Sequence, residues 1–205
     1  LLPEVDLTVP RGAHVAITGV SGSGKSSLLK ALAGFPPPSK GQLLVDGSVV
    51  TAASRHLLRE QIAYVPQLLG VTERMLVLDY VREPFSYRAN RAASPPDSVV
   101  EEQAEQLRLP PSLLLQRTEQ LSGGERHRVA LLRALLTGRS IFLLDEVSAS
   151  LDSAARGAVL DTLRAASHTV VSVTHDDHWV SRADQLYEIR AARVVRLPVV
   201  GGKPK

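Results

Sequence analysis

Val15-Ala16-Ile17-Thr18-Gly19-Val20-Ser21-Gly22-Ser23-Gly24-Lys25-Ser26-Ser27-Leu28-Leu29 decides how this chain is read. Residues 15–18 form a short β-branched, apolar run, the pattern of a buried strand. Residues 25–34 space Leu28, Leu29 and Leu32 along one side of a helix, which Gly34 and the run Pro36-Pro37-Pro38 bring to a stop. The turn between them, residues 19–26, fits the pattern G-x-x-x-x-G-K-[ST]. Glycines let successive backbone N–H groups converge on phosphate oxygens, and the following helix adds the positive end of its dipole. Lys25 offers a mobile positive charge to β- and γ-phosphates, and Ser26 a hydroxyl to Mg2+. A Gly/Ser turn ahead of a lysine also arises by chance. Its place between a buried strand and an amphipathic helix is what phosphate binding requires.

Outward from this stretch, short strand patterns alternate with longer helical ones. Leu43-Leu44-Val45 followed by Asp46-Gly47 reads as a strand and tight turn, and Ile62-Ala63-Tyr64-Val65 as another strand. Residues 68–137 are mostly helical in pattern, interrupted by a polar, proline-containing stretch at 88–97. Strand character returns at 141–144 and 169–173, with a helix over 153–166 between them and a final pair of short strands over 185–197. The expectation is an α/β core, residues 1–67 and 138–205, with a helical insertion, residues 68–137, between its halves. The tail, residues 201–205, reads as a frayed end.

Ile141-Phe142-Leu143-Leu144-Asp145-Glu146 is an apolar strand ending in two carboxylates. Ligands gather at the carboxyl ends of buried parallel strands, so Asp145 is placed to hold Mg2+, directly or through water. Glu146, next along, can polarise the water that attacks a γ-phosphate. The plainer reading, that the pair merely caps a following helix, loses ground because a phosphate loop precedes it.

The bulk composition narrows the field without choosing. The chain has 205 residues, 44% hydrophobic and 22% charged, enough for one well-buried domain. No apolar run approaches the roughly 18 residues that span a bilayer, and no signal-peptide pattern opens the chain. The expectation is a chain that does not cross a membrane by itself and whose true N-terminus lies before Leu1. A formal charge of +3 is mild, and nucleic acid is not expected as a partner. With no cysteine, disulfides and cysteine–metal sites are excluded.

Further motifs carry a resemblance. Leu121-Ser122-Gly123-Gly124-Glu125, continued by Arg126-His127-Arg128-Val129, resembles the signature motif of ABC-type ATPases, usually written LSGGQ. Gln67 resembles that family's Q-loop glutamine, Ser148-Ala149-Ser150-Leu151-Asp152 its D-loop, and His175 its switch histidine. These motifs, with the phosphate loop and the acidic pair, follow the family's order over nearly the whole chain. His14, His56, His168 and His178 match no family position and are expected at the surface or in packing.

The resemblance implies a P-loop NTPase (RecA-like) core with an ABC-type antiparallel β part and an inserted helical subdomain that ends in the signature helix. It implies ATP and Mg2+ as cofactors. Gly19, Ser21, Gly22, Ser23, Gly24, Lys25, Ser26 and Ser27 would then hold the phosphates, with Ser26, Asp145 and Gln67 toward the metal. Glu146, His175, Lys25 and Gln67 would serve hydrolysis. In the family two copies sandwich two ATP molecules head to tail, so Ser122, Gly123, Gly124 and Asp152 would serve the ATP held by a partner copy. Two departures stand out. The family's adenine-stacking aromatic residue is expected upstream of Leu1, and Glu125 replaces the usual glutamine, a variant not expected to abolish activity.

Two function classes follow. One is the ATPase subunit of a membrane transporter, at the cytoplasmic face, with a permease as a separate chain or a fused transmembrane part. The other is a soluble ABC-type ATPase of translation, DNA repair or chromosome organisation. Such proteins typically carry two domains per chain or a long coiled coil, and residues 67–121 show no sustained heptads, which favours transport. Residues 76–81 and Thr174-His175-Asp176-Asp177 are similar to the short stand-alone bacterial FetA-type subunits linked with iron export. The cargo belongs to the permease and is not legible here.

Overall fold

The apolar strand patterns assemble into one sheet, and the order of its strands decides where the loops emerge. The computed structural model describes residues 5–35, 40–67, 74–87, 90, 94–191 and 193–198. The proline run 36–38, part of the stretch 88–97 and the tail 201–205 lie outside the described residues. The first half of the chain gives β1 (His14–Gly19), α1 (Lys25–Leu32), β2 (Leu44–Val45), β3 (Ser48–Val49), α2 (Arg55–Gln61) and β4 (Ile62–Val65). Three helices follow, α3 (Val77–Arg82), α4 (Asp97–Gln106) and α5 (Gly123–Leu136). The last part supplies β5 (Ile141–Asp145), α6 (Ser153–Ala165), β6 (Thr169–Val173), α7 (Asp177–Ser181), β7 (Gln185–Arg190) and β8 (Arg193–Leu197).

Six strands form the main sheet in the order β4-β5-β6-β1-β7-β8. β1 runs parallel to β6 and β7, and β5 runs parallel to β6. β1, β5 and β6 are mostly apolar and buried along most of their length, whereas β7 buries only Tyr187 and Ile189. The antiparallel part consists of the β7–β8 pair and a separate β2–β3 hairpin. That hairpin turns on Asp46 and Gly47, both at positive φ (50° and 76°), the two-residue geometry that matches strand twist. α1 stops as its sequence indicates. Gly34 sits at φ 81°, its N–H bonds the Ala31 carbonyl and the Phe35 N–H bonds the Lys30 carbonyl. α2 and α7 have no counterpart in the sequence reading. Each is under two full turns with one buried residue, Leu58 or Trp179, too short a pattern to register as periodicity.

Two compact units divide the chain. The first comprises residues 1–64, 139–146 and 167–205, and its core gathers Val15, Ile17, Leu28, Leu29, Leu143, Val171 and Ile189. The second comprises residues 65–138 and 147–166. There α5 buries Leu131, Leu132 and Leu135 in a unit whose helices α3 and α4 pack on it. α6 groups with this helical unit rather than with the residues around it in sequence, because α4 packs on it and α5 packs on the turn Val147–Ser150.

Within the first unit Trp179, 3% exposed, fastens α7 to the sheet. Its Nε1 donates to Ser172 Oγ (3.1 Å), and that hydroxyl in turn donates to the Val15 carbonyl of β1 (3.3 Å). Trp179→Ala is expected to lower unfolding free energy by about 3–5 kcal/mol. Ser172→Ala, which strips the buried indole N–H of its acceptor, should cost about 1–3 kcal/mol. Urea unfolding followed by circular dichroism checks both, and a Trp179→Ala midpoint equal to the wild type's would refute the anchoring role.

Candidate active site

The chain leaves β1 through a position only glycine can occupy. Gly19 has φ 145°, and a Cβ there would stand 2.9 Å from the Ile189 carbonyl oxygen and 3.0 Å from Ser23 Oγ. Gly24 closes the loop at φ 98° as the N-cap of α1, with no side chain capping that helix. The first-turn N–H groups of α1 therefore face the loop rather than a capping oxygen. Ser21 and Gly22 are exposed on the loop, and Ser27 is exposed on the first turn of α1. Ser23 Oγ is buried and has no hydrogen-bond partner among the described residues. Lys25, 6% exposed, donates from Nζ to the carbonyl oxygens of Gly19 (2.8 Å) and Val20 (3.0 Å). Both partners are neutral carbonyls, which an arriving anion can displace.

Beside the loop, Asp145 ends β5 almost fully buried, at 3% exposure. Ser26 Oγ donates to its Oδ1 (3.0 Å), and the Tyr64 hydroxyl donates to its Oδ2 (3.1 Å). Burial first, then the charge of Asp145 and its hydrogen bond, push the Tyr64 phenol up to about 12. The raised phenol remains the donor in its hydrogen bond to Asp145. Sequence reasoning missed this role. The one signal for it is a hydroxyl inside an otherwise apolar strand, which must find a partner when buried.

Glu146 follows at φ 52°, a left-handed backbone that costs a non-glycine residue about 1–2 kcal/mol. Its N–H bonds the Val173 carbonyl (2.9 Å), and its carboxylate oxygen Oε1 lies 3.5 Å from His175 Nε2. His175 itself is held from both sides. The Thr174 N–H bonds the Ile17 carbonyl (3.2 Å), and Asp176 caps α7 by accepting from the Trp179 N–H (2.9 Å). Lys25, Ser26, Asp145, Glu146 and His175 all fall in the first unit, at the carboxyl ends of β1, β5 and β6.

The remaining predicted residues fall in the second unit. Ser122 is the N-cap of α5 in a reciprocal capping box. Its Oγ accepts from the Glu125 N–H (3.3 Å), while Glu125 Oε2 accepts from the Ser122 N–H (2.8 Å) and Oγ (2.7 Å). Those Ser122 donors hold the Glu125 carboxyl below its ordinary range. Glutamate and glutamine both complete such a box, so Glu125 leaves the fold of the motif intact. Gly123 is exposed, whereas Gly124 is packed so closely that a Cβ would meet the Ser150 carbonyl oxygen at 2.7 Å. Asp152 caps α6 by accepting from the Ala155 N–H (2.7 Å), the chief reason its carboxyl lies below the usual range. Gln67 is exposed just beyond β4.

These residues fit phosphate and Mg2+. Ser23 brings a buried polar atom lacking a partner, Lys25 a buried cation, and Ser26 with Asp145 a pair of hard oxygen donors. No cluster of three or more His, Cys, Asp or Glu that could hold a metal occurs among the described residues. Mg2+ needs none, since it takes one or two protein oxygens with phosphate oxygens and water.

Comparison with known proteins agrees with this geometry. Residues 2–149 match the profile of the ABC transporter family. The chain is 32% identical to "Probable iron export ATP-binding protein FetA" of Escherichia coli (strain K12), over 93% of this chain and 84% of that protein. It is 37% identical to the macrolide export ATP-binding/permease protein MacB 1 of Aeromonas hydrophila subsp. hydrophila, covering 95% of this chain but 31% of that protein. The chain thus spans about a third of the length of several of the curated relatives it matches. Among solved structures, a dimeric ATP-binding cassette in a post-hydrolysis state, bound to ADP and Pi, superposes with a TM-score of 0.82 at 25% identity. That match covers 98% of this chain and 91% of the other. The names of the two relatives, FetA and MacB 1, are those of export proteins. No helix among the described residues is long and apolar enough to cross a membrane. With its phosphate loop, acidic strand end and signature helix in place, the chain belongs to the ABC transporter family, as an ATP-binding, ATP-hydrolysing cassette.

Proposed function

We propose that two copies of this cassette close head to tail around two MgATP and drive a membrane permease from the cytoplasmic face, in the manner of the export systems its relatives are named for. The observation that carries this reading is the capped signature turn at Ser122 and Gly123. It presents a helix N-terminus and a serine hydroxyl to solvent, in a different compact unit from the phosphate loop. Such a turn binds anions well, and its own chain already holds a phosphate cradle.

In this mechanism the N–H groups of the loop from Gly19 and of the first turn of α1 bind the phosphates. Lys25 leaves the Gly19 and Val20 carbonyls for the β- and γ-phosphate oxygens. Ser26, Asp145 and Gln67 would hold Mg2+, which supplies charge neutralisation for the phosphates when bound. Glu146 orients a water and accepts its proton as the water oxygen bonds the γ-phosphorus and the bond to the β-phosphate oxygen breaks, giving ADP and phosphate. His175, 3.5 Å from the Glu146 carboxylate, keeps that carboxylate turned toward the reacting water. Ser122 turns its hydroxyl from Glu125 to the γ-phosphate held by the partner copy. Closure on ATP and release after hydrolysis then move the helical unit, residues 65–138 and 147–166, against a permease.

Three outcomes are expected. Glu146→Gln keeps ATP binding and lowers turnover by about 10²–10⁴-fold, measured as phosphate release; near-normal hydrolysis would sink the role given to Glu146. Ser122→Arg and Lys25→Ala are each inactive alone. Mixed, they regain part of the activity, because one composite site pairs an intact loop with an intact signature turn. Mixtures that stay dead while both variants fold and associate would contradict the shared site. Tyr64→Phe removes the proton donor that orients Asp145 and raises the Mg2+ concentration needed for half-maximal binding of a fluorescent ATP analogue about tenfold. An unchanged Mg2+ titration would remove Tyr64 from the site.

A further inference from the structure

His127 lies half-buried on the second turn of α5, and its ring touches three segments at once. Nδ1 lies 2.7 Å from Ser150 Oγ and 3.0 Å from the Gly123 carbonyl oxygen, and Nε2 lies 3.2 Å from the Gln67 carbonyl oxygen. All four residues belong to the helical unit. We propose that His127 is a positioning residue that ties the loop at Gln67 and the turn at Ser150 to the signature helix, so that the three segments move as one piece.

The hydrogen-bond chemistry is specific. The carbonyls of Gln67 and Gly123 can only accept, and with its hydrogen on Nε2 the ring donates to Gln67 and not to Gly123. In the neutral ring Nδ1 is then an acceptor, and Ser150 Oγ can donate to it at 2.7 Å. One imidazole thereby reads out the positions of two loops at opposite edges of its ring. A second contact on the same turn makes the link stiff. Gly124 lies so close beneath Ser150 that a Cβ would meet the Ser150 carbonyl oxygen at 2.7 Å. The turn at Ser150 is therefore held to α5 both by close backbone approach and by the imidazole. Gln67 gains from His127 a tie to that same helix. An aliphatic residue at 127 would fill the space and hold neither loop.

This inference rests on the proposed roles of Gln67 and Ser122. If it holds, loss of the imidazole loosens Gln67 and the 147–150 turn relative to Ser122, which slows hydrolysis more than it weakens ATP binding. In the full chain, His127→Ala is expected to lower kcat for MgATP about tenfold with KM and the thermal unfolding midpoint little changed. His127→Gln, whose amide can donate to a carbonyl and accept from a hydroxyl, should restore most of the rate. Ser150→Ala should lose part of the rate, and the double variant with His127→Ala should be no slower than His127→Ala alone. A His127→Ala kcat near the wild type's, or a loss that follows a fallen unfolding midpoint and that glutamine does not repair, overturns the proposal. Glu146→Gln run alongside separates the failures. If it hydrolyses ATP normally, the site assignment itself is wrong and this inference falls with it. If it is inactive while His127→Ala is not, the role of His127 alone is refuted.

Discussion

The hydrogen bonds that pair β6 with β1 on one side and β5 on the other set the level at which three chain segments leave the sheet. Val173 of β6 stands opposite Ile17 of β1 and opposite Asp145 of β5. From that shared row the phosphate loop begins two residues beyond Ile17, the Glu146 carboxylate comes one residue beyond Asp145, and His175 two residues beyond Val173. Two main-chain bonds continue the ladder one step past the row, from the Glu146 N–H to Val173 and from the Thr174 N–H to Ile17. A slip of one residue between β5 and β6 would turn Asp145 to the opposite face and separate its carboxylate from Ser26. The site in this unit is therefore a property of the strand register. The apolar residues along these strands, Val15, Ile17, Leu143 and Val171, hold that register because they are buried.

The helical unit carries the capped turn that the proposed dimer would use to bind an anion. Ser122 could not cap α5 and also offer donors if its box partner were missing, because the helix would fray at the residues that matter. Glu125 fills that role with a carboxylate held ionised by Ser122 itself. A carboxylate one turn inside a helix suits the positive end of the dipole. It also stands close to where a partner's phosphate would bind, so the cap that stabilises the turn opposes part of its attraction for an anion. In the proposed dimer the exposed Gly123 and the hydroxyl of Ser122 would carry that attraction.

What the sequence made legible is what local pattern encodes. The phosphate loop, the apolar strand ending in Asp145, and the strands over 62–65 and 169–173 each follow from a contiguous run of residues. The signature, Q-loop, D-loop and switch positions were legible only through family resemblance, because a Ser-Gly-Gly or a lone histidine carries no chemistry until its neighbours in space are known. Tyr64 was not legible, since its hydrogen bond to Asp145 spans 81 positions and depends on β4 lying beside β5. Nor was the clasp of Trp179 on Ser172, which depends on α7 folding back over β6. Gly124 read as part of a motif, whereas the reason for it is steric, the carbonyl of Ser150 lying where a side chain would start.

Glu146 brings register and chemistry into direct conflict. The strand must turn away immediately after Asp145, and the backbone does so by entering the left-handed region at φ 52°, where glycine is at ease and glutamate is not. The same backbone hydrogen bond, to Val173, would form with glycine at this position, so that bond does not call for the side chain. What the side chain adds is a carboxylate 3.5 Å from His175 and one residue beyond Asp145. A residue that strains its own backbone while carrying a charged group beside His175 fits the catalytic role proposed for it. The neighbouring Asp145 shows the contrast. It keeps an ordinary strand conformation and a carboxylate bonded by Ser26 and Tyr64, while Glu146 keeps its carboxylate only partly enclosed, at 23% exposure.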